Sequence, residues 1–159
     1  MKFRIGLGFD LHRLGPGSHL ILGGLEIPHG KAFIAHSDGD VLCHAMVDAL
    51  LGASGLGNIG ERFPDTDPKY SGMSSLKFLT YVANLLRGNG FQIENIDSNI
   101  LAEKPKLLPY FPSMRERVAE AVDVPIEKIS IKAKTMEGIG VIGTEEAIAA
   151  QAVALISFE

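Results

Sequence analysis

An acidic residue and a histidine lie two positions apart near the amino end of the chain, in the segment RIGLGFDLHRL. Apolar residues alternate with other residues through this segment, which predicts a β-strand with two unlike faces. Side chains two positions apart on a strand point to the same side, so Asp10 and His12 can converge on one point. We expect them on the outer face, opposite the apolar residues. Those apolar residues are Phe3, Ile5, Leu7, Phe9 and Leu11.

A third candidate ligand lies on a helix predicted for DVLCHAMVDALLGA, which we expect Ser37 and Asp38 to cap. We expect this helix to bury one side, with Asp40, His44 and Asp48, spaced four apart, on the opposite face. Two imidazoles and one carboxylate leave one tetrahedral position open, as in catalytic zinc sites. The alternative is a solvated strand end beside a polar helix face, since such spacing alone is weak evidence.

Two further stretches carry residues of chemical interest. ERFPDTDPKYSG places Asp65 and Asp67 in a loop next to prolines, which is also typical of Asx turns. IKAKTMEGIG places Thr135 and Glu137 at the end of a strand before glycines, which is also typical of a strand exit and turn. Taken singly, each stretch favours a structural role over a functional one.

The order of elements predicts an α/β sandwich in which one mixed sheet is covered on one face by about three helices. We expect one domain spanning residues 1–159. Strands and helices interleave along the whole chain, and residues 55–72 read as a long loop. The predicted elements after the first strand are a hairpin HLILGGLEIP turning at Gly23-Gly24, the helix described above, a helix from Ser74 or Ser75 to about Gly88, a strand FQIENIDSNIL, a helix opened by Pro109 and Pro112 and ending near Val124, a strand KISIKAKT and a buried strand EAIAAQAVALISF.

Composition excludes several classes of protein. The chain is 46% apolar and 21% charged and has no apolar run long enough to cross a bilayer, so we expect no membrane span. Its net charge of −4 and the lack of a basic stripe argue against nucleic-acid binding, and a polyanionic substrate would need a metal to neutralise it. The amino end lacks signal-peptide and transit-peptide features, which predicts a cytoplasmic, bacterial protein; a processed plastid form would look similar. Cys43, the one cysteine, is expected to be a small core residue.

Five segments together resemble the 2-C-methyl-D-erythritol 2,4-cyclodiphosphate synthase family. They are FDLHR, AHSDGDVLCHAMVDALLGA, FPDTDP, AEKPKL and KAKTMEGIG, and their order and spacing match over essentially the whole chain. The resemblance implies a phosphorus-oxygen lyase of the non-mevalonate isoprenoid pathway. In the implied reaction the 2-phosphate of 4-diphosphocytidyl-2-C-methyl-D-erythritol 2-phosphate attacks the β-phosphorus of the same molecule and CMP is released.

The resemblance also implies roles for individual residues. Asp10, His12 and His44 correspond to ligands of a Zn²⁺ ion, and Glu137 to a ligand of a second ion, Mg²⁺ or Mn²⁺. The implied catalytic residues are His36, Lys106, Thr135 and Glu137. The implied substrate contacts are Asp10, His12, His36, Ser37, Asp48, Asn58, Gly60, Asp65, Ala102, Lys106, Leu107, Leu108, Ala133, Lys134, Thr135 and Glu137. In the family, the segments that correspond to AEKPKL and KAKTMEGIG come from the neighbouring subunit of a homotrimer. The resemblance therefore implies a site between subunits.

The chain departs from the family pattern at two places. Asn58 stands where many members have Asp, which predicts altered affinity rather than lost activity, since an amide also hydrogen-bonds hydroxyls. Thr144 and Glu145 stand where some members have an Arg that binds an isoprenoid diphosphate on the trimer axis. Because Glu145 adds negative charge there, we expect no tight binding of geranyl or farnesyl diphosphate.

Two other functions remain open from the residues. One is a metal-dependent phosphoester hydrolase that uses zinc-bound water on the same Asp-His-His set. The other is a non-catalytic protein that keeps the fold and only binds nucleotides or isoprenoid phosphates. Analysis of the products separates these possibilities from ring closure.

Overall fold

A five-stranded sheet and a separate two-stranded hairpin make up the β-structure. The computed structural model describes residues 1–159. The strands are β1 (Lys2–Pro16), β2 (His19–Leu22), β3 (Leu25–Pro28), β4 (Lys31–Phe33), β5 (Gln92–Leu101), β6 (Ile129–Lys134) and β7 (Ala147–Phe158). The large sheet has the strand order β4-β1-β7-β5-β6. Only β5 and β6 run parallel, so the sheet is mixed, as predicted.

The chain has five α-helices, and the three long ones lie on one side of this sheet. The five helices are α1 (Val41–Ser54), α2 (Ile59–Arg62), α3 (Ser75–Gly88), α4 (Phe111–Val122) and α5 (Gly140–Gly143). The three long helices α1, α3 and α4 cover the sheet together, and α1 contacts β1, β7 and α3. The predicted sandwich is therefore confirmed. None of these helices combines the length and the apolar character that crossing a membrane requires.

The predicted hairpin and the predicted last strand are both present. β2 and β3 pair as an antiparallel hairpin, and both turn residues, Gly23 and Gly24, have positive φ angles of 55° and 73°. Two consecutive positive φ angles define the turn that matches the twist of a hairpin, and glycine adopts them without steric cost. Two other regions differ from the prediction. The loop at 55–72 contains α2 and a 3-10 turn at Pro68–Tyr70, and α4 begins at Phe111 after a 3-10 turn rather than at Pro109.

Helix α1 is buried on nearly all sides, not on one side as predicted. Its N-cap is Asp40, whose Oδ1 accepts a hydrogen bond of 3.1 Å from the backbone N–H of Cys43. Asp40 Oδ2 accepts another, of 2.8 Å, from the backbone N–H of Gly24. The prediction that Ser37 and Asp38 cap this helix is wrong. Because α3 covers the side of α1 that the sheet does not, Asp40 and His44 of the expected polar face are buried and only Asp48 is partly exposed.

The two faces of β1 are reversed relative to the prediction. Gly6 and Gly8 face α1, and a Cβ built on them would lie 2.0 Å from Ala49 O and 1.8 Å from Ala45 O. Only a residue without a side chain permits this close approach of strand and helix. The apolar residues of β1 point to the opposite side, which we call the open face of the sheet. They are Phe3, Ile5, Leu7, Phe9 and Leu11, and they are 42% to 74% exposed.

Candidate metal centre and the pocket around it

The three residues expected to bind zinc meet at one point. Asp10 Oδ2 lies 3.1 Å from His12 Nε2 and 3.0 Å from His44 Nδ1, and the two nitrogens are 3.2 Å apart. Ligand atoms about 2.0 to 2.1 Å from a tetrahedral zinc ion lie roughly 3.3 Å from one another. The arrangement therefore fits a metal ion with a fourth position open toward the pocket.

The close contact of β1 and α1 creates this geometry. Asp10 and His12 lie on the same side of β1 as Gly8, and Gly8 packs against the backbone of α1 next to His44. Because the strand backbone nearly touches the helix, side chains just beyond the glycines reach His44 without a gap. His44 itself is only 8% exposed. The positions of the three ligands are thus determined by the packing of the core.

The ionisation of the cluster is strongly perturbed. Burial opposes the charge of Asp10, yet hydrogen bonds and charge interactions with His12 and His44 outweigh it and hold its pKa well below the usual range. Burial likewise opposes the charge of His44, but the hydrogen bond and charge of Asp10 raise its pKa overall. A carboxylate beside two imidazoles is a donor set that zinc prefers.

A cavity of about 480 Å³ opens beside these ligands. This volume is typical of a site for a small-molecule ligand. Six of the implied substrate contacts line it: Asp10 and His12 of the cluster, and His36, Ser37, Gly60 and Asp65. Aromatic side chains form another part of its wall, where Phe63 stacks on Phe78 at 4.4 Å between ring centroids. The lining of the cavity thus combines polar and aromatic side chains.

Asp48 and Asn58, two other implied substrate contacts, do not line this cavity, and they use their polar atoms within the chain. Asp48 Oδ1 accepts a hydrogen bond of 2.7 Å from the backbone N–H of Ile59. Asn58 Oδ1 accepts one of 3.0 Å from the backbone N–H of Glu61, and its amide donates to Glu61 Oε1. Both residues hold the start of α2, and Gly60 of that helix lines the cavity.

The remaining site residues form a second group at the carboxyl ends of β5 and β6. The backbone N–H of Ala102 donates to Lys134 O at 3.0 Å, and that of Met136 donates to Glu103 Oε2 at 3.1 Å, so the two segments are joined. None of the second group lines the cavity at the ligands. Its members are Ala102, Lys106, Leu107, Leu108, Ala133, Lys134, Thr135 and Glu137.

Strand register shows how far apart the two groups are. Asp10 pairs with Ala150, Ala150 with Ile100, and Ile100 with Ala133, so these residues form one row across the sheet. Three steps between strands amount to about 14 Å. The two central residues of the row, Ala150 and Ile100, are fully buried. Within one chain the hydrophobic core therefore separates the two groups.

The exposure of each residue in the second group limits which of its atoms can contact a ligand. Ala102 and Leu107 are 5% and 4% exposed, which leaves mainly their backbone groups for contact. Lys106 and Glu137 are exposed, and Thr135 Oγ1 donates a hydrogen bond of 3.3 Å to Glu137 Oε1. Glu137 has a φ angle of 54°, a left-handed conformation that is uncommon for residues other than glycine.

Sequence reasoning missed the hydrogen bonds that lead from His44 through Ser75 to Asp38. Ser75 Oγ lies 2.8 Å from His44 Nε2, and Asp38 in turn binds Ser75. Asp38 belongs to the SDGD segment and does not cap α1; instead its Oδ2 accepts a hydrogen bond from the backbone N–H of Ser75 at the start of α3. Cys43 is buried as expected, and burial raises the pKa of its thiol well above the usual value, which is unsuitable for a nucleophile.

Glu145, at the second departure from the family pattern, has defined contacts in the structure. Glu145 forms an ion pair of 3.0 Å with Lys104, and its backbone oxygen accepts a hydrogen bond from Lys31. The pKa of Glu145 is lowered by the hydrogen bond and charge of Lys104. A negative charge is therefore held at this position, although a lysine partly offsets it.

Comparisons with known proteins agree on one family. Residues 3–157 match the family described as the YgbB family. A relative from Clostridium kluyveri, named 2-C-methyl-D-erythritol 2,4-cyclodiphosphate synthase, is 54% identical over 96% of this chain and 93% of its own length. The IspF CDP complex from Plasmodium falciparum has a TM-score of 0.86 and 33% identity, covering 99% of this chain and 97% of that one. The bifunctional IspDF from Campylobacter jejuni has a TM-score of 0.95 and 38% identity; 99% of this chain matches, but it spans 43% of that protein.

Proposed function

The chain belongs to the YgbB family, and we propose that it catalyses the ring closure for which its relatives are named. An oxygen of the 2-phosphate of 4-diphosphocytidyl-2-C-methyl-D-erythritol 2-phosphate attacks the β-phosphorus. The bond from that phosphorus to the bridging oxygen breaks, and CMP leaves with the oxygen. The observation that carries this proposal is the convergence of Asp10, His12 and His44 at the wall of a cavity of about 480 Å³.

One cluster of donor atoms fits a metal ion, and a separate carboxylate would join a second. Asp10, His12 and His44 would hold Zn²⁺, and Glu137 would contribute an oxygen to Mg²⁺ or Mn²⁺ together with substrate phosphates. Bound cations supply positive charge that polarises phosphate oxygens and offsets the negative charge of substrate and protein. This accounts for how a chain of net charge −4 would bind a polyanion.

The protein's own residues act mainly by positioning. The attacking oxygen belongs to the substrate, so holding the substrate folded supplies the large advantage of an intramolecular reaction. His36, Ser37 and Asp65 all line the cavity. His36 and Ser37 would contact phosphate, and Asp65 would accept hydrogen bonds from the erythritol hydroxyls. Lys106 would add positive charge where charge develops on the leaving group. No side-chain nucleophile is needed, in agreement with the buried thiol of Cys43.

We further propose that the active site forms between subunits of a homotrimer. The separation of the two groups by buried core within one chain supports this arrangement, because a substrate cannot pass through Ala150 and Ile100. The open face of the sheet also supports it. A row of large apolar residues on β1 is exposed there, and such a patch is typical of a protein interface. Bacterial relatives such as that of Clostridium kluyveri support a cytoplasmic enzyme.

Phosphorus NMR of the protein with the cytidine substrate and Mg²⁺ tests the reaction. We expect the cyclic diphosphate and CMP to appear together, and to disappear when a chelator strips zinc. A ring-opened product of hydrolysis would contradict ring closure and favour a phosphoester hydrolase. Unchanged substrate in the presence of bound zinc would favour a non-catalytic binding protein.

A mixing experiment tests the location of the site. Asp10→Ala and Lys106→Ala each remove one group of residues, so each variant alone should be inactive. Reassembled together at equal amounts, they should regain about one quarter of wild-type activity, because in a ring with random mixing one site in four joins two intact groups. A mixture of Asp10→Ala with His44→Ala is the control. Both changes lie in the same group, so that mixture should stay inactive, and equal recovery in both mixtures would contradict the proposal.

A further inference from the structure

His44 has to present one particular ring nitrogen to a metal. Its Nδ1 lies at the ligand cluster, while its Nε2 points away and lies 2.8 Å from Ser75 Oγ. A neutral imidazole carries its proton on one nitrogen only, and metal binding requires the lone pair of the other. Asp10 Oδ2, 3.0 Å from Nδ1, would itself accept a proton from that nitrogen. Something must therefore favour the tautomer with the proton on Nε2.

The hydrogen bonds beyond Ser75 determine the direction of that contact. Ser75 Oγ lies 2.5 Å from Asp38 Oδ1, and the backbone N–H of Ser75 donates to Asp38 Oδ2 at 2.8 Å. A carboxylate only accepts hydrogen bonds, so the single hydroxyl proton of Ser75 is donated to Asp38. Ser75 Oγ can then interact with His44 only as an acceptor, which requires a proton on His44 Nε2.

We propose that Asp38 and Ser75 are positioning residues that hold His44 in its metal-binding tautomer, a role that rests on the proposed metal site. The chain of hydrogen bonds runs from His44 Nε2–H to Ser75 Oγ and from Ser75 O–H to Asp38. We call these three residues the relay. Outer partners of this kind set the tautomer and orientation of metal-binding histidines.

Burial strengthens the preference of His44 for one tautomer, because water cannot easily replace the partner at Nε2. Ser75 is fully buried and His44 is 8% exposed, so water has little access to a lost partner at Nε2. A second hydroxyl, Ser37 Oγ, lies farther from Nε2, at 3.2 Å, and is only partly buried. It accepts from the backbone N–H of Gly39, which leaves its own proton uncommitted, so Ser37 does not by itself set the tautomer. The shorter contact to Ser75, with its proton already committed to Asp38, is the one that defines the tautomer.

Two substitutions alter the relay in different ways. Ser75→Ala removes the acceptor for Nε2–H and leaves the bond between the Ser75 backbone and Asp38 intact. Asp38→Asn keeps the shape but removes the charge, and both Asp38 oxygens accept from backbone N–H groups, Oδ2 from Ser75 and Oδ1 from Asp40. In one orientation of the amide its NH₂ group faces Ser75 Oγ and accepts no hydrogen bond, and in the other a neutral oxygen faces it and accepts more weakly than a carboxylate. The hydroxyl of Ser75 is then freer to donate to Nε2, which favours a proton on Nδ1. We expect zinc affinity to fall about 10- to 100-fold in Ser75→Ala and to fall in Asp38→Asn as well.

Zinc competition against a chelator, with the full-length protein, measures these affinities. Nitrogen-resolved proton NMR of the zinc-loaded protein provides the second readout. The Nε2–H signal of His44 should be slow to exchange in the wild type and should exchange rapidly or vanish in Ser75→Ala. Ser74→Ala is the matched control, because Ser74 starts the same helix and its side chain makes no capping hydrogen bond. That variant should keep both properties.

The outcomes separate this proposal from the metal site on which it rests. If Asp10→Ala abolishes zinc binding while Ser75→Ala and Asp38→Asn bind zinc as the wild type does, the relay is wrong and the metal site stands. If the wild type binds no zinc, both proposals are wrong. Should Ser75→Ala fail to fold, the nearly isosteric Asp38→Asn carries the test, and unchanged zinc affinity in that variant overturns the relay.

Discussion

The three proposed zinc ligands and the Thr135–Glu137 pair are held by the chain to different degrees. The ligand atoms of Asp10, His12 and His44 lie within 3.2 Å of one another, in a pocket built by β1, α1 and the start of α3. Thr135 and Glu137 are exposed on a loop and share one hydrogen bond of 3.3 Å. The core of a single chain thus prepares the first group in advance. The second group is left open, as expected for residues that complete a site on another subunit.

We expect the largest effect from a substitution that separates β1 from α1, because their contact holds the Asp10, His12 and His44 cluster together. Gly8→Val would place a side chain where a Cβ already lies 1.8 Å from Ala45 O. Backbone atoms cannot yield like a flexible side chain, so we expect a loss of at least about 3 kcal/mol in the free energy of unfolding. Urea denaturation measures it.

Gly52→Ala is the matched control for that change. Gly52 lies in α1, and a methyl group added there would meet no neighbouring atom within 4 Å. Alanine is also the better helix former, so stability should stay equal or rise by up to about 1 kcal/mol. A Gly8→Val protein as stable as Gly52→Ala would contradict the prediction that the fold depends on the close packing of β1 on α1.

Removing one ligand tests the prepared group directly. We expect Asp10→Ala or His44→Ala to lose zinc and activity together, because two remaining ligands no longer form the chelate. The loss of activity should exceed the roughly 100-fold that the loss of an outer partner can cost. Metal analysis and the NMR assay measure both. His19→Ala, a histidine of the β2–β3 hairpin outside the cavity, is the control. Full activity in a zinc-free Asp10→Ala protein would contradict the assignment.

We expect a smaller loss of activity from a substitution in the exposed Thr135–Glu137 pair. Glu137→Gln should leave zinc bound and raise the Mg²⁺ concentration for half-maximal activity about tenfold, because one charged oxygen ligand is lost. Activity measured against Mg²⁺ concentration, with zinc content in parallel, tests this. Glu116→Gln on the surface of α4 is the control. An unchanged Mg²⁺ requirement would show that Glu137 is not a ligand.

We expect the smallest effect in the binding of isoprenoid diphosphates. We expect no tight binding of geranyl or farnesyl diphosphate, because Glu145 holds a negative charge where some family members have an Arg. Calorimetric titration of the wild type should give no saturable heat at micromolar ligand. Glu145→Arg, which removes that charge, should gain affinity if the charge is the cause. Strong binding by the wild type would refute the prediction.

The fold was predictable where local periodicity decides it. The alternation in β1, the Gly23-Gly24 turn and the apolar run of β7 each predict one element, and each is present. Errors arose where tertiary contacts decide. Asp38 has the local chemistry of a helix cap for α1, yet its carboxylate binds Ser75, which lies 37 residues away. A local sequence pattern cannot predict a contact between residues so far apart in the chain.

The types and spacing of residues in the sequence determined that Asp10 and His12 share a side of one strand. Together with the family resemblance they predicted His44 as a third ligand, and the structure brings these three residues together. Only the tertiary structure decided which face of β1 is buried. An apolar row normally packs inward, but Gly6 and Gly8 let α1 approach so closely that the ligands lie inward and Phe3 to Leu11 lie on the open face. The hydrogen bonds that orient His44 likewise required three distant segments to meet, because hydrogen-bond direction depends on neighbours in space rather than in sequence.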